Sequence, residues 1–174
     1  MQEVSVLAPA TVSNVVCGFD CLGFALEKPL IAVDTLQSLA FAARESGGFP
    51  ADTLFVPMID ARRMEVFTGV YDNSLATILP PQAMIIDHNS FDGYLLGNRQ
   101  LVFCGSGAEK CRPVLSHPLM VFLDIFCSDE NLSMLSFSYF QNKVFQDVAY
   151  FEPSYIKPPN ITVPANQLII NEMK

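Results

Sequence analysis

Short apolar segments alternate along this chain with segments of helical periodicity, and polar, glycine or proline residues separate them. The apolar segments that have the length of buried strands are residues 30–33, 54–59, 101–104 and 121–126. This order is typical of an α/β fold, in which helices cover the faces of a sheet. Because 51% of the residues are hydrophobic and only 16% are charged, the chain needs a core, and this composition argues against disorder.

The first strong helix signal follows the strand at 30–33. Asp34 or Thr35 can cap this helix, and Ser46-Gly47-Gly48 ends it. Its apolar residues recur at i, i+3, i+4 and i+7, the spacing of one helix face. They are Leu36, Leu39, Ala40 and Ala43. This face is expected to meet the sheet, or in part a second copy of the chain, because exposed apolar patches drive association.

Two further helices are predicted. Residues 87–90 offer several caps for a helix that ends at Gly97, and Ser128 caps a helix with an acidic first turn. The apolar stripe of the latter is Leu132, Leu135, Tyr139 and Phe140.

The remaining strands lie around the middle of the chain and at its start. Strands at 54–59 and 64–72 are joined by a polar turn, and a short strand is expected at 83–86, behind two prolines. Residues 4–7 predict another strand. Residues 12–26 mix small and apolar residues with two glycines and favour a glycine-interrupted helix that Pro29 breaks. Beyond Tyr155, the prolines favour an extended tail.

The charge of the chain limits its partners. The formal net charge is −8 and the ten Lys and Arg residues are scattered, whereas a protein that grips nucleic acid alone concentrates positive charge. A role on RNA would therefore pass through a partner protein. No apolar run reaches membrane-spanning length, Gln2 and Glu3 replace a basic signal start, and five cysteines are an odd number. These features favour a cytoplasmic protein with reduced thiols.

Little in the sequence indicates metal or nucleophile chemistry. His88 and His117 are too far apart for a helical metal pair, and Cys104 ends a buried strand, which is typical of a core thiol. No catalytic residue, metal site or cofactor is expected. The segment 105–107, Gly-Ser-Gly, is either a nucleotide loop without its lysine or a strand-to-helix turn that needs a positive φ.

The densest polar cluster after residue 29 is the turn that joins the strands at 54–59 and 64–72. It contains Asp60, Arg62, Arg63 and Glu65. A hairpin turn with local ion pairs explains it, and a charged turn can equally serve as a docking edge.

The first residues resemble the opening of homoserine kinases. The segment APATVSNVVCGFDCLGFAL, residues 8–26, places Asn14 and Asp20 between small residues after a strand. In that family the matching residues help to hold the amino-acid substrate. The glycine-rich loop with paired serines that cradles the triphosphate in those kinases does not follow. The sequence therefore gives little support for phosphoryl transfer.

A broader resemblance begins at Pro29. The segments PLIAVDTLQSLA, PMIDARRMEVFTGVYD, FCGSGAEK, SDENLSML and DVAYFEPSYIK occur in order between residues 29 and 157. Together they resemble the second half of the TsaB (YeaZ) family, once classed among glycoproteases. The resemblance implies an actin-like (ribonuclease H-like) fold and an accessory protein without an active site. It also implies a role in making threonylcarbamoyladenosine at position 37 of tRNA, with the catalytic subunit TsaD and the ATPase TsaE as partners.

The resemblance divides the chain into three expected parts. Residues 1–28 are a homoserine-kinase-like or eroded first-lobe segment, 29–157 a TsaB-like second lobe, and 158–174 an extended tail. The front lobe that the family uses for docking is not recognisable, so a truncated or chimeric accessory protein is expected. A kinase-like fragment and an inactive remnant are the alternatives.

Overall fold

The structure is a computed structural model that describes residues 21–25, 30–147 and 150–157. The predictions for residues 4–7, 12–20 and 158–174 lie outside these ranges. Helices lie between groups of strands, and the α/β class that the apolar pattern predicts is confirmed, although two and then three strands follow one another without a helix between them. They are, in chain order, β1 (Cys21–Ala25), β2 (Leu30–Asp34), α1 (Thr35–Glu45), β3 (Leu54–Asp60), β4 (Glu65–Tyr71), β5 (Thr77–Ile85), a 3₁₀ helix (Asp92–Tyr94), β6 (Leu101–Cys104), α2 (Ala108–Cys111), β7 (Met120–Phe122) and α3 (Asp129–Gln141).

Five strands form one mixed sheet in the order β5-β4-β3-β6-β7. β3, β4 and β5 are antiparallel, because short turns join them along the chain. β6 and β7 run parallel to β3 and follow crossover segments. The carboxyl ends of β3, β6 and β7 therefore lie at one edge of the sheet, and the β3–β4 turn lies at the same edge.

Both faces of the sheet are buried. Alternate residues of β3 and β6 point to opposite sides, so each strand supplies two cores. One core includes Met58 and Phe103 with the 3₁₀ segment and α2, and the other includes Phe55 and Val102 with α1. Burial on both faces explains why these two strands read as continuous apolar runs rather than as alternating ones.

The apolar face of α1 packs on the sheet. Leu36 and Ala40 are fully buried and Leu39 is 2% exposed, in contact with residues of β3, β4 and β6. The sequence pattern predicts this packing. The alternative, that part of the face is free to meet a second copy, is wrong for these residues because the sheet covers them.

Asp34 caps α1 and is partly buried. Its Oδ1 accepts hydrogen bonds from the Gln37 backbone N–H (2.9 Å) and the Tyr71 hydroxyl (3.4 Å). Desolvation by burial outweighs these hydrogen bonds and raises the pKa of Asp34 above its ordinary 3.8. The folded state therefore keeps the proton to a higher pH than the unfolded chain does, and stability falls as pH rises through that window.

Asp34→Asn is expected to raise the free energy of unfolding at pH 7, because the amide oxygen keeps the cap and carries no charge to desolvate. The gain should vanish below the ordinary carboxyl pKa of 3.8, where Asp34 is neutral in both states. Urea denaturation at pH 7 and pH 3 measures both values. Asp34→Ala is the control and should lose about 1 kcal/mol with the cap. An Asn variant that is less stable than the wild type at pH 7 would contradict this account.

The segment predicted as a helix over 87–97 contains only the three-residue 3₁₀ helix. Asp87 Oδ1 binds the Ser90 hydroxyl and the Asn89 N–H, and the Ser90 hydroxyl accepts from the Asp87 N–H. These local bonds use the side chains that could cap a helix to close a turn instead, so no α-helix continues from them. Phe91 is fully buried and anchors the segment on the sheet.

The outer strands differ from their predicted bounds. β5 begins at Thr77 rather than at residue 83 and runs through Pro80-Pro81. Prolines are tolerated there because β5 is an edge strand and pairs only with β4. β7 ends at Phe122 rather than at 126 and is half-buried, since it is the opposite edge strand.

A two-stranded antiparallel ribbon precedes the sheet. Cys21–Ala25 pairs with Leu30–Asp34 from Cys21↔Asp34 to Ala25↔Leu30. The predicted helix is therefore wrong over 21–25, because pairing with β2 satisfies the backbone there and Gly23 is a weak helix former. β2 in turn contacts α3.

α3 begins at its predicted cap, where Ser128 Oγ accepts from the Asn131 N–H. Leu132 and Leu135 are buried against β2 and α1, as the stripe predicts, but Phe140 is 43% exposed. The Tyr139 hydroxyl donates to Gln37 Oε1 of α1 at 2.5 Å. In the described part of the chain, no helix combines the length and apolar character needed to cross a membrane.

Candidate docking surface

The turn between β3 and β4 has an unusual backbone. Arg62 and Arg63 have φ values of 71° and 51°, in the left-handed region that costs little only for glycine and asparagine. The Arg62 N–H donates to Asp60 Oδ1 at 2.8 Å, and the N–H groups of Ala61 and Glu65 close the turn onto carbonyl oxygens. The turn is therefore fixed by hydrogen bonds although its sequence does not favour it.

Two lysines from distant parts of the chain bind the carboxylates of this turn. The Lys110 ammonium group of α2 pairs with the Asp60 carboxylate and donates to the Glu65 carbonyl oxygen at 2.7 Å. Lys157 Nζ pairs with Glu65 Oε1 at 2.5 Å. The charged corner is the set Asp60, Arg62, Arg63, Glu65, Lys110 and Lys157. The hydrogen bond from Lys110 holds the pKa of Asp60 below its ordinary value.

The two arginines of the corner are exposed. Neither guanidinium group forms a hydrogen bond or an ion pair with another of the described residues. Because Lys110 and Lys157 already neutralise Asp60 and Glu65, the corner presents a surplus of positive charge. The sequence predicts a polar turn with local ion pairs here. The turn is confirmed, but the ion pairs are long-range and involve lysines that the sequence does not single out.

The Gly-Ser-Gly segment is a packed turn. Gly105 has a φ of 92°, and a Cβ atom there would overlap the Met58 carbonyl oxygen. The N–H groups of Gly105 and Gly107 donate to the carbonyl oxygens of Ile125 and Met58, both at 2.9 Å. The Ser106 hydroxyl accepts from the Asp60 N–H. The bonds to Met58 and Asp60 tie the turn to β3, and the bond to Ile125 ties it to the segment after β7, so the interpretation as a strand-to-helix turn is the correct one.

A small pocket lies beside this turn, at the carboxyl ends of β6 and β7. Ser106, Arg112, Phe122 and Asp124 are among its lining residues, and its volume is about 50 Å³. Pockets that hold drug-sized ligands have volumes of about 300–1,000 Å³. The pocket is therefore too small for a nucleotide.

Among the described residues, Cys104, Cys111 and Cys127 are free thiols. Cys104 is fully buried, and desolvation raises its pKa to about 12, so it is an unreactive core thiol, as predicted. His88 and His117 are exposed. No group of three or more potential metal ligands occurs within the described ranges. Asn14 and Asp20, the residues of the kinase resemblance, lie outside the described residues, so their role stays a prediction.

Comparison with known proteins places the chain in a family. The sequence profile described as "TsaD: tRNA N6-adenosine threonylcarbamoyltransferase" matches residues 15–173. The match covers most of the chain and extends across residue 29. No curated protein matches the chain.

Two solved structures from Pseudomonas aeruginosa share its fold. One is described as YeaZ and the other as an uncharacterized protein with similarity to peptidase YeaZ. Both have a TM-score of 0.58 and 18% sequence identity, and they align with 74% and 75% of this chain. The chain spans about 60% of the length of each. The likeness shows the fold, and it agrees with the actin-like (ribonuclease H-like) α/β lobe that the TsaB resemblance implies.

Proposed function

The chain belongs to the family described as "TsaD: tRNA N6-adenosine threonylcarbamoyltransferase", and within threonylcarbamoyladenosine synthesis at position 37 of tRNA we propose that it is a non-catalytic accessory protein rather than the transferase itself. It acts by binding a TsaD-like catalytic subunit and a TsaE-like ATPase. It meets tRNA only through that complex. The YeaZ-like fold supports the accessory role.

The packed Gly105–Gly107 turn is the observation that argues against phosphoryl transfer, the kinase-like alternative. A phosphate cradle needs backbone N–H groups that point at the ligand. Here the N–H groups of Gly105 and Gly107 are used by carbonyl oxygens of the protein. In the sequence, this turn is the segment that most resembles a nucleotide loop. In the structure, its two glycine N–H groups bond to the protein itself, which argues against phosphoryl transfer and favours a role in binding partners.

The charge distribution supports a protein partner. The net charge of −8 opposes direct binding to a polyanion. The charged corner offers exposed cations on a backbone that hydrogen bonds hold in place, which limits the entropy lost on docking. A role on tRNA therefore passes through other subunits.

The experiment is to mix the chain with TsaD-like and TsaE-like subunits from the same organism and measure the masses by size-exclusion chromatography with light scattering. We expect a complex that contains this chain and the TsaD-like subunit. Separate elution of all three proteins at micromolar concentration would refute the proposal. The chain alone, run at high concentration, tests the possible homo-oligomer in the same experiment.

A further inference from the structure

We propose that the outer face of α3 is a surface by which two copies of this chain associate, with their α3 helices antiparallel and Phe137 at the centre of the contact. The outer face is the set Glu130, Met134, Phe137 and Phe140, and Lys143 follows it two residues after the helix ends. This inference goes beyond the proposed function and does not rest on it.

The outer face of α3 is apolar and exposed. The opposite face buries Leu132 and Leu135 against β2 and α1. Phe137 is 60% exposed and Met134 is 48% exposed, and Phe140 lies one turn further along the same side. Because these three side chains recur at every third residue, they form one continuous strip along the helix. Such strips mark interaction sites more often than single exposed apolar residues do.

The strip continues beyond the end of α3. Val144 and Phe145 are also exposed, and the Phe145 ring is in edge contact with the ring of Phe140, with 6.0 Å between the centroids. Since a whole aromatic side chain presents about 150–250 Å², the five partly exposed side chains leave roughly 500 Å² of apolar surface. A stable interface buries about 800 Å² on each partner. With its polar neighbours, the strip therefore has the size of a contact that forms and dissociates reversibly.

The charges at the two ends of α3 favour a second copy as the occupant. Asp129 and Glu130 lie in the first turn, Lys143 follows the last turn, and residues 131–142 carry no charge. Glu130 and Lys143 are exposed, and neither forms an ion pair with another described residue. When two α3 helices lie antiparallel, the acidic end of each helix meets Lys143 of the other. The surface is thus complementary to itself in charge.

Twofold symmetry about Phe137 satisfies the whole face at once. Glu130 lies seven residues before Phe137, on the same side of the helix, and Lys143 lies six residues after it. The symmetry brings the two Phe137 rings together, sets Met134 opposite Phe140, and sets Glu130 beside Lys143 of the other copy. Aromatic pairs and methionine–aromatic contacts are both favourable. Each contact except the central one forms twice, as in other isologous dimers.

Repulsion between two copies also favours this face. Each copy has a net charge of −8, which opposes association wherever acidic surfaces meet. The apolar face of α1, which the sequence offers for a second copy, is covered by the sheet. The uncharged centre of α3 lets two copies approach with little repulsion.

The first test measures the mass of the full chain by light scattering from micromolar to millimolar concentration. Wild type should change from monomer to dimer. Phe137→Gln should raise the Kd of the dimer at least tenfold, because it places an amide at the dry centre of the contact. Leu96→Gln is the matched control, since Leu96 is 75% exposed and lies outside the face, and its Kd should stay within twofold of wild type. A wild-type chain that stays monomeric, or a Phe137→Gln chain that dimerises equally well, would overturn the inference.

A charge exchange tests the antiparallel arrangement. K143E should raise the Kd about tenfold, because a carboxylate then faces the acidic end of the other copy at both ends of the contact. E130K/K143E should return the Kd to within about threefold of wild type, since opposite charges meet again. R99E is the matched control, because Arg99 is also an exposed cation and the change in net charge is the same. A double variant that dimerises no better than K143E would refute the arrangement.

A tryptophan at the centre of the face distinguishes a second copy from other occupants. The chain contains no tryptophan, so the fluorescence of Phe137→Trp reports on this position alone. Its emission should move to shorter wavelengths as the concentration rises, because the second copy removes water from the ring. Short-wavelength emission at every concentration would mean that another segment of the same chain covers the face. Emission that shifts only when the TsaD-like subunit is added would mean a different partner, and emission that never shifts would mean that nothing binds there. Each of these three results would overturn the inference and leave the proposed function untouched.

Discussion

Gly105→Ala is expected to lower the free energy of unfolding by about 3 kcal/mol or more. The added methyl group would overlap the Met58 carbonyl oxygen, and the left-handed φ of 92° is strained for alanine. The carbonyl oxygen cannot move aside easily, because it also accepts the Gly107 N–H at 2.9 Å. Relief of the clash therefore disrupts the contact between β3 and the turn after β6. Urea denaturation followed by circular dichroism measures the loss.

Two other glycines separate the causes. Gly48 has a φ of 87° and open space around its Cβ position, so Gly48→Ala should cost only the left-handed strain, about 1 kcal/mol. Gly93 has open space and no positive φ, so Gly93→Ala should be close to neutral. If Gly105→Ala costs no more than Gly48→Ala, the turn is not packed on Met58. The case against a nucleotide loop would then fail.

Phe103→Ala is expected to cost about 3–5 kcal/mol. Phe103 is fully buried in β6, stacked on Phe122 (4.9 Å between ring centroids) and in edge contact with Phe91 (5.3 Å). Alanine would leave a cavity between the sheet and the 3₁₀ segment, which the strands cannot close without losing their pairing. Chemical denaturation measures the loss, which is a large fraction of the free energy of unfolding of a typical domain, about 5–15 kcal/mol.

Phe103→Leu and Phe122→Ala are the controls for this cavity. Leucine refills most of the space, so its cost should be well below that of alanine. Phe122 lies on the edge strand β7 and is only partly buried, so its truncation should cost less than that of Phe103. Equal losses for Phe103→Ala and Phe122→Ala would show that Phe103 is not at the centre of this core.

The central elements of the fold follow from the sequence because local and global signals agree there. β3 is apolar up to Ile59 and β6 is apolar throughout, and the apolar parts of both strands contribute to the cores on both faces of the sheet. α1 has a cap, an apolar stripe and a glycine stop that all point to the same helix. Where such signals coincide, tertiary contacts reinforce the local preference rather than override it.

The errors arise where tertiary context overrides a local signal. Pro80-Pro81 reads as a terminator, but an edge position lets β5 continue through it. Residues 21–25 read as a helix, but pairing with β2 makes them a strand. Asp87 and Ser90 read as helix caps, but they bond to each other and close a turn.

The charged corner could be predicted only in part. Asp60, Arg62, Arg63 and Glu65 are adjacent in sequence, so their clustering is visible without a structure. Lys110 and Lys157 are 50 and 92 residues from their carboxylate partners, and nothing in the sequence indicates those pairs. The positive φ values of the arginines are also hidden, because arginine carries no signal for a left-handed turn.

Formation of threonylcarbamoyladenosine in a reconstituted reaction tests the central claim most directly. Unmodified tRNA is incubated with TsaD-like and TsaE-like subunits and increasing amounts of this chain, and the modified nucleoside is measured by mass spectrometry. We expect the rate to rise with the chain and to saturate near one equivalent per TsaD-like subunit, with no product from the chain alone. Product formed by the chain without the TsaD-like subunit, or a rate that the chain does not change, would contradict the account.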